Sequence, residues 1–328
     1  MKNKIIHGDC LEVMKDIEDK SIDLIITDPP YNIKKAEWDK WKKQENYIDW
    51  LGGVFKECDR VLKDNGSFYF FHNDFLQMVE LQNYINNNTR FVFKNLLIWN
   101  KRFNGVKNKG FLDGFVEVEH LRNYQQMAEY CLFYVKQASS KWDKTGLEVI
   151  KHDVNNFQPL RQYFKEFQQA LGLTKKAIIE QVGQRVDHCF RHSSSQWDLP
   201  TKETYVELCK IPLKNKFVRK EYEELRKEYE ELRYTFNNQK TSHSVMNYEI
   251  AKKQGHITPK PVDLIENIIK HSSNEDFTIL DPFIGSGTTA ISCLNTNRNY
   301  IGIEKEPEYV EIANKRIADE LSQYKLEL

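Results

Sequence analysis

The chain has 328 residues, enough for one large or two medium domains, and its 40% apolar content is ample for a core. Lys plus Arg and Asp plus Glu each number 48, so net charge neither favours nor excludes a nucleic-acid partner; only the distribution of charge bears on that. No apolar run is long enough to span a bilayer, the start lacks a signal-peptide core, and none of the six cysteines forms a Cys-x-x-Cys pair. The expectation is a reduced, cytoplasmic chain with no membrane contact and no metal site.

Residues 4–8 read as a short strand that enters Asp9-Cys10. Residues 10–18 then place Leu11, Met14 and Ile17 on one helical face. The Ile-rich run 22–27 reads as a buried parallel strand, cut off by Asp28-Pro29-Pro30-Tyr31. Two prolines have no N–H to donate and fix φ near −65°, so the strand must stop there. Asp28 therefore stands at the carboxyl rim of a sheet, where open α/β sheets bind ligands. A carboxylate, a stiff carbonyl and an aromatic plate suit a flat heterocycle that carries an amino group. A plain strand-ending turn is the competing reading for so short a string.

Residues 32–44 form a polar loop with Trp38, Asp39 and Trp41, of a length usual for functional lids. An amphipathic helix is expected over 47–62 and a turn at Asn65-Gly66. A strand over 67–71, a helix capped by Asp74 and a strand over 91–99 follow. The segment 100–110 carries Lys101, Arg102, Lys107 and Lys109 with Phe103 among them. Such a loop is either simply solvated or in contact with phosphates. Residues 127–136 read as another strand.

From 137 to 244 the period becomes helical. Two helices are expected within 164–182, joined at Leu171-Gly-Leu-Thr174, in helix-turn-helix outline. The run His192-Ser-Ser-Ser-Gln196 with Trp197 reads as a loop. A doubled heptad from Glu221 to Arg233 forms a stripe of Tyr222, Leu225, Tyr229 and Leu232, too short for a self-sufficient coiled coil.

A second motif follows. The buried strand 277–281 ends in Asp281-Pro-Phe-Ile-Gly-Ser-Gly-Thr-Thr289, and a helix comes next. Strand, glycine turn and helix make a nucleotide-cradling layout. The strand 300–303 ends in Glu304, at the spacing of a carboxylate that grips ribose hydroxyls. The turn has no Lys, so it is not a nucleoside-triphosphate loop, and it lacks the third glycine of a dinucleotide site. An adenosine ligand without a pyrophosphate, such as S-adenosylmethionine, fits better.

Together these motifs resemble the amino-group DNA methyltransferases of the beta arrangement, in which the catalytic motif precedes the glycine motif. The resemblance rests on Asp28-Pro29-Pro30-Tyr31, the glycine turn, Gly8-Asp9-Cys10, and His256-Ile-Thr-Pro-Lys-Pro261, which departs in order from the family's His-Pro-Thr-x-Lys-Pro. It implies a doubly wound α/β fold: a mostly parallel, seven-stranded Rossmann-like sheet with a mainly helical insert. The catalytic domain would be 1–136 plus 245–328, and 137–244 the target-recognition region. It implies catalytic roles for Asp28, Pro29, Pro30 and Tyr31. It also implies S-adenosylmethionine contacts from Asp281, Phe283, Gly285, Gly287, Thr288 and Glu304, from Asp9 and Cys10 at the adenine, and from Thr258 and Lys260 at the methionine end. The implied partner is double-stranded DNA, with a restriction endonuclease and a homodimer left open. An acid at the first catalytic position resembles the adenine-N6 enzymes, whereas cytosine-N4 enzymes of this arrangement usually carry Ser. Cytosine N4, RNA and protein glutamine remain the alternative targets.

Overall fold

The computed structural model describes residues 2–32, 41–101, 127–136, 140–142, 148–150, 157–194, 196–232, 236, 243–251 and 259–324. Contacts divide the chain into two compact units, Met1–Lys136 with Thr235–Leu328, and Gln137–Tyr234. The first unit starts with β1 (Lys4–His7), α1 (Cys10–Val13), β2 (Ile22–Thr27), α2 (Gln44–Val61), β3 (Leu62–His72), α3 (Phe75–Asn88), β4 (Val92–Asn100) and β5 (Ala128–Val135). The second holds a hairpin of β6 (Ser140–Trp142) and β7 (Glu148–Ile150), then α4 (Gln158–Leu171), α5 (Lys175–Val182), α6 (Lys202–Cys209) and α7 (Tyr222–Leu232). The first unit resumes with β8 (Val245–Asn247), α8 (Val262–Ser272), β9 (Thr278–Asp281), α9 (Thr288–Asn295), β10 (Asn299–Glu304) and α10 (Pro307–Tyr324).

One sheet runs β1-β10-β9-β2-β3-β5-β4-β8. The first five strands in that order are parallel, β5 is antiparallel to both its neighbours, and β8 lies parallel to β4. The expected count of seven strands is thus corrected to eight among the described residues. The added strand, β8, has three residues, too few to show a period in sequence.

Side chains of β3 show why both faces need helices. Phe68 and Phe70 pack on Phe55 of α2, with ring centroids 5.2 and 4.9 Å apart. Tyr69, between them, points the other way. Its hydroxyl meets Ser272 Oγ of α8 at 2.6 Å and its ring stacks on Phe133 at 4.3 Å. A strand buried on both faces reads as a continuous apolar run, which is what 67–71 is. The turn expected at Asn65-Gly66 is not there; both residues lie inside β3. A Cβ at Gly66 would come 2.6 Å from the Leu62 side chain and 2.9 Å from the Asp23 carbonyl. Gly66 therefore serves a close strand approach, beside a register shift between Ile22 and Leu24.

The decisive feature is that β2 and β9 are neighbours. Leu24 pairs with Ile279 and Ile25 with Leu280. From this pair the chain winds to β3 on one side and to β10 on the other, so their carboxyl ends flank the switch point of the sheet. Asp23, buried within β2, reinforces the pairing: its carboxylate accepts the Thr278 N–H at 2.8 Å and meets the Lys63 ammonium at 2.5 Å.

In the second unit, α4 ends at Gly172 in the left-handed region (φ 60°), and Thr174 caps α5 by accepting the Ala177 N–H at 3.2 Å. Leu225 and Tyr229 of the heptad stripe are buried in this unit's own core. The described residues around Trp197 form a loop, as expected, but Trp197 itself is buried in it: its side chain is 1% exposed and its indole N–H donates to the Cys189 carbonyl at 2.9 Å. Among the described residues no helix is long and apolar enough to cross a membrane, and no cluster of side chains has the make-up of a metal site.

Replacing Asp23 by Ala removes the acceptor of a buried backbone N–H. A loss of about 1–3 kcal/mol in a urea titration is expected.

Candidate active site

The carboxyl ends of β2 and β9 open into one cavity of about 350 Å³. Asp28, Pro29, Pro30 and Tyr31 line it from the first rim, and Asp281, Phe283, Gly285 and Thr288 from the second. Glu304 joins from the tip of β10, and Asp9 and Cys10 from the end of β1.

The first rim is held from behind. The Tyr47 hydroxyl donates to the Pro30 carbonyl at 2.8 Å and meets His72 Nε2 at 2.9 Å. His72 Nδ1 in turn accepts the Asp74 N–H at 3.1 Å. Since Tyr47 gives its proton to Pro30 and Nδ1 is an acceptor, His72 is neutral with its proton on Nε2. Burial agrees, pushing His72 down to about 4. The Pro30 carbonyl is thereby used, while no hydrogen bond from the described residues reaches the Pro29 carbonyl.

Asp28 is the centre of a charged cluster. Its Oδ1 accepts from the Tyr31 hydroxyl and its Oδ2 from the Lys260 ammonium. Lys260 Nζ also lies 3.3 Å from the Tyr31 hydroxyl and 3.2 Å from Glu129 Oε2. The other Glu129 oxygen accepts from Lys101. Burial alone would push the Lys260 ammonium down, but Asp28 and Glu129 outweigh it and raise its pKa. Burial likewise would raise Glu129, but Lys260 and Lys101 outweigh it and hold that carboxyl low. Lys260 is therefore held as an ammonium and Glu129 as a carboxylate.

The second rim is a turn that only glycine suits. Gly285 and Gly287 have φ of 50° and 85°. A Cβ on Gly287 would also come 3.0 Å from that of Ala313 in α10. Glu304 accepts the Gly285 N–H at 2.9 Å and the Glu306 N–H at 2.8 Å. Asp281 accepts the Phe283 N–H at 3.0 Å and the Thr289 hydroxyl at 2.6 Å. Burial pushes Asp281 up to about 7, against these two hydrogen bonds and with help from Asp28 and Glu304. Aromatic rings bridge the two rims: Phe283 lies 5.6 Å from Trp50, and Trp50 lies 4.9 Å from Trp41. The Trp41 N–H donates to Asn32, next to Tyr31, at 2.9 Å. Six acids but only two lysines line the cavity, which favours a cationic guest with a flat ring.

A family model described as DNA methylase, covering N6 and N4 types, matches residues 22–315. The chain belongs to the DNA methylase family. It is 27% identical over 317 residues to the type II methyltransferase M1.MboII of Moraxella bovis, covering 95% of each chain. It is 28% identical over 327 residues to the DNA adenine methyltransferase YhdJ of Escherichia coli K12, covering 98% of this chain and 85% of that one. The crystal structure of the M1.HpyAVI–SAM complex shares its fold, with a TM-score of 0.51 and 22% identity over 95% of this chain and 98% of that one.

Within this DNA methylase, the cavity gathers most of the residues that the motifs singled out. Gly287 stands just behind the lining, at the start of α9. Lys260 lines the cavity, yet its ammonium is directed at Asp28 and Glu129. Lys101, read as a phosphate contact, turns inward to Glu129 and lies 4.6 Å from the Trp99 ring centre. Thr258, Arg102, Lys107 and Lys109 lie outside the described residues, as does Trp38. Glu129, Tyr47, Trp50 and His72 were not anticipated. Only Glu129 gave a signal, as a lone acid in the otherwise apolar run 128–135.

A carboxyl raised from 3.8 to about 7 binds more protons folded than unfolded, so its contribution is full below 3.8 and is lost as pH rises toward 7. The ligand-free protein should lose stability across that window, on the order of 4 kcal/mol from this group. Asp281→Asn should flatten that slope in urea titrations at pH 5 and pH 8.

Proposed function

We propose that this DNA methylase transfers a methyl group from S-adenosylmethionine to the N6 amino group of adenine in double-stranded DNA, with the target base turned out of the helix. The observation that carries this reading is the shared cavity, in which the Asp28 rim and the Gly285 turn face one space.

The residues present fit the cofactor. Its net positive charge matches the acid-rich lining, and its adenine matches the wall of Phe283, Trp50 and Trp41. Asp9, Cys10, Phe283, Gly285, Thr288 and Glu304 would hold it, with Asp281 and Gly287 shaping the turn. When bound, it supplies an electrophilic methyl group on a positively charged sulfur.

The protein's task is to make a poor nucleophile adequate. The adenine amino nitrogen has its lone pair spread into the ring. Asp28 accepts one amino hydrogen and the open Pro29 carbonyl the other, which turns the nitrogen toward a tetrahedral shape. Hydrogen bonds to a charged acceptor are the stronger kind. Asp28 also faces the positive charge that develops on nitrogen, a preorganised electrostatic effect. Tyr31 offers its face to the extruded base and offsets part of the unstacking cost of a few kcal/mol. The Tyr47–His72 chain engages the neighbouring Pro30 carbonyl, so that of the two proline carbonyls Pro29 is the one left open to the amine.

Cytosine N4 is the second reading, because the matching family covers both amino targets. The acid at position 28 and the kinship with an adenine methyltransferase favour adenine. The likeness to a type II methyltransferase favours a partner endonuclease. The unit Gln137–Tyr234, with its capped helix pair, is the candidate target-recognition region. A cytoplasmic location fits a DNA substrate.

Digestion of treated DNA to nucleosides should yield N6-methyldeoxyadenosine; N4-methyldeoxycytidine instead would favour the second reading. Asp28→Ala should lower turnover by at least about 10²-fold. The same variant should still bind S-adenosylmethionine, seen as quenching of Trp41 and Trp50 fluorescence. Normal turnover in Asp28→Ala would refute the assignment.

A further inference from the structure

The Lys260 ammonium raises a problem for the reading above. The incoming amino group needs a lone pair on Asp28, and each Asp28 oxygen already accepts one hydrogen bond, from Tyr31 on one and from Lys260 on the other, which crowds the approach. A cation beside a nitrogen that is becoming positive also opposes the reaction. Lys260 cannot retreat to water, because its side chain is only 7% exposed and is ringed by Tyr31, Phe71 and Trp99.

One nearby acceptor stands ready. Glu129 Oε2 is 3.2 Å from Lys260 Nζ and buried, yet it receives no aligned hydrogen bond. The other oxygen of the same carboxylate is held by Lys101, which fixes the direction in which Oε2 points. Among the described residues, Asp28 and Glu129 are the carboxylates that Lys260 touches. A small shift of one ammonium exchanges a bond to Asp28 for a bond to Glu129, and the buried cation is never left unpaired.

We infer that Glu129 is a positioning residue that takes the Lys260 ammonium off Asp28 when the target amine arrives. This rests on Asp28 being the amine acceptor. The pair then acts as a two-position counter-ion: Lys260 rests on Asp28 in the empty site and on Glu129 in the loaded one. Lys101 anchors the far side of Glu129, so loss of Lys101 should weaken the exchange without removing it. Glu129 touches neither substrate nor cofactor in this scheme; it acts through Lys260.

A double-mutant cycle on the full-length protein tests the inference, with unmethylated duplex DNA and S-adenosylmethionine varied up to saturation. Glu129→Gln should lower kcat about 10–100-fold, the size usual when an outer partner of a site is lost. Its KM for S-adenosylmethionine should stay within about twofold of wild type, since uniform binding is untouched. In the Lys260→Met background, Glu129→Gln should cost nothing further, because the competitor for Asp28 is gone. Multiplying losses, or a wild-type kcat in Glu129→Gln, would overturn the inference. If Glu129→Gln does not fold, Glu129→Asp replaces it, with a smaller loss that again vanishes beside Lys260→Met. Failure of the underlying reading looks different, because wild-type protein would then give no N6-methyldeoxyadenosine at all.

Discussion

The pairing of β2 with β9 is the constraint on which the site depends. These strands are separated by some 250 positions in sequence, yet Leu24 and Ile25 hydrogen-bond beside Ile279 and Leu280. Two strands that end in an acid and then a proline are thereby set side by side and parallel, with Asp28 and Asp281 on the same rim. Parallel pairing demands this, since antiparallel strands would send the two acids to opposite edges. Asp23 adds a side-chain bond across the pair, to Thr278.

The charge pattern of the cavity follows from that closeness. Several carboxyls share a partly dry space, so Asp281 and Glu304 are pushed toward their neutral forms by burial, while Glu129 is kept ionised by two lysines. A site with surplus acid is poised for a cationic guest, whose arrival would relieve the crowding. The lysines divide the labour. Lys260 pairs with Asp28 at one end of the cavity, and Lys305 lies 3.5 Å from Asp9 at the other end.

Sequence patterns carried the local part of this picture well. Proline after Asp28 and glycine after Asp281 leave the chain few options, so the ends of β2 and β9 could be read directly. The capping of α5 by Thr174 and the burial of Leu225 and Tyr229 also follow local rules. What was not legible depends on contacts across the fold. No local signal links Lys260 to Asp28, or Tyr47 to the Pro30 carbonyl. Gly66 looked like a turn because Asn-Gly usually is one, and only the neighbouring Asp23 carbonyl explains why glycine is required there. Trp197 sits in a polar run, and its burial is set by residues far away in sequence.

A crystal structure of the full chain with S-adenosylmethionine tests the shared cavity most directly. The adenosine should lie between Phe283 and Glu304, with the sulfonium directed at Asp28 and the Pro29 carbonyl. Cofactor bound elsewhere, or with its sulfur turned away from Asp28, would contradict the arrangement and the chemistry drawn from it.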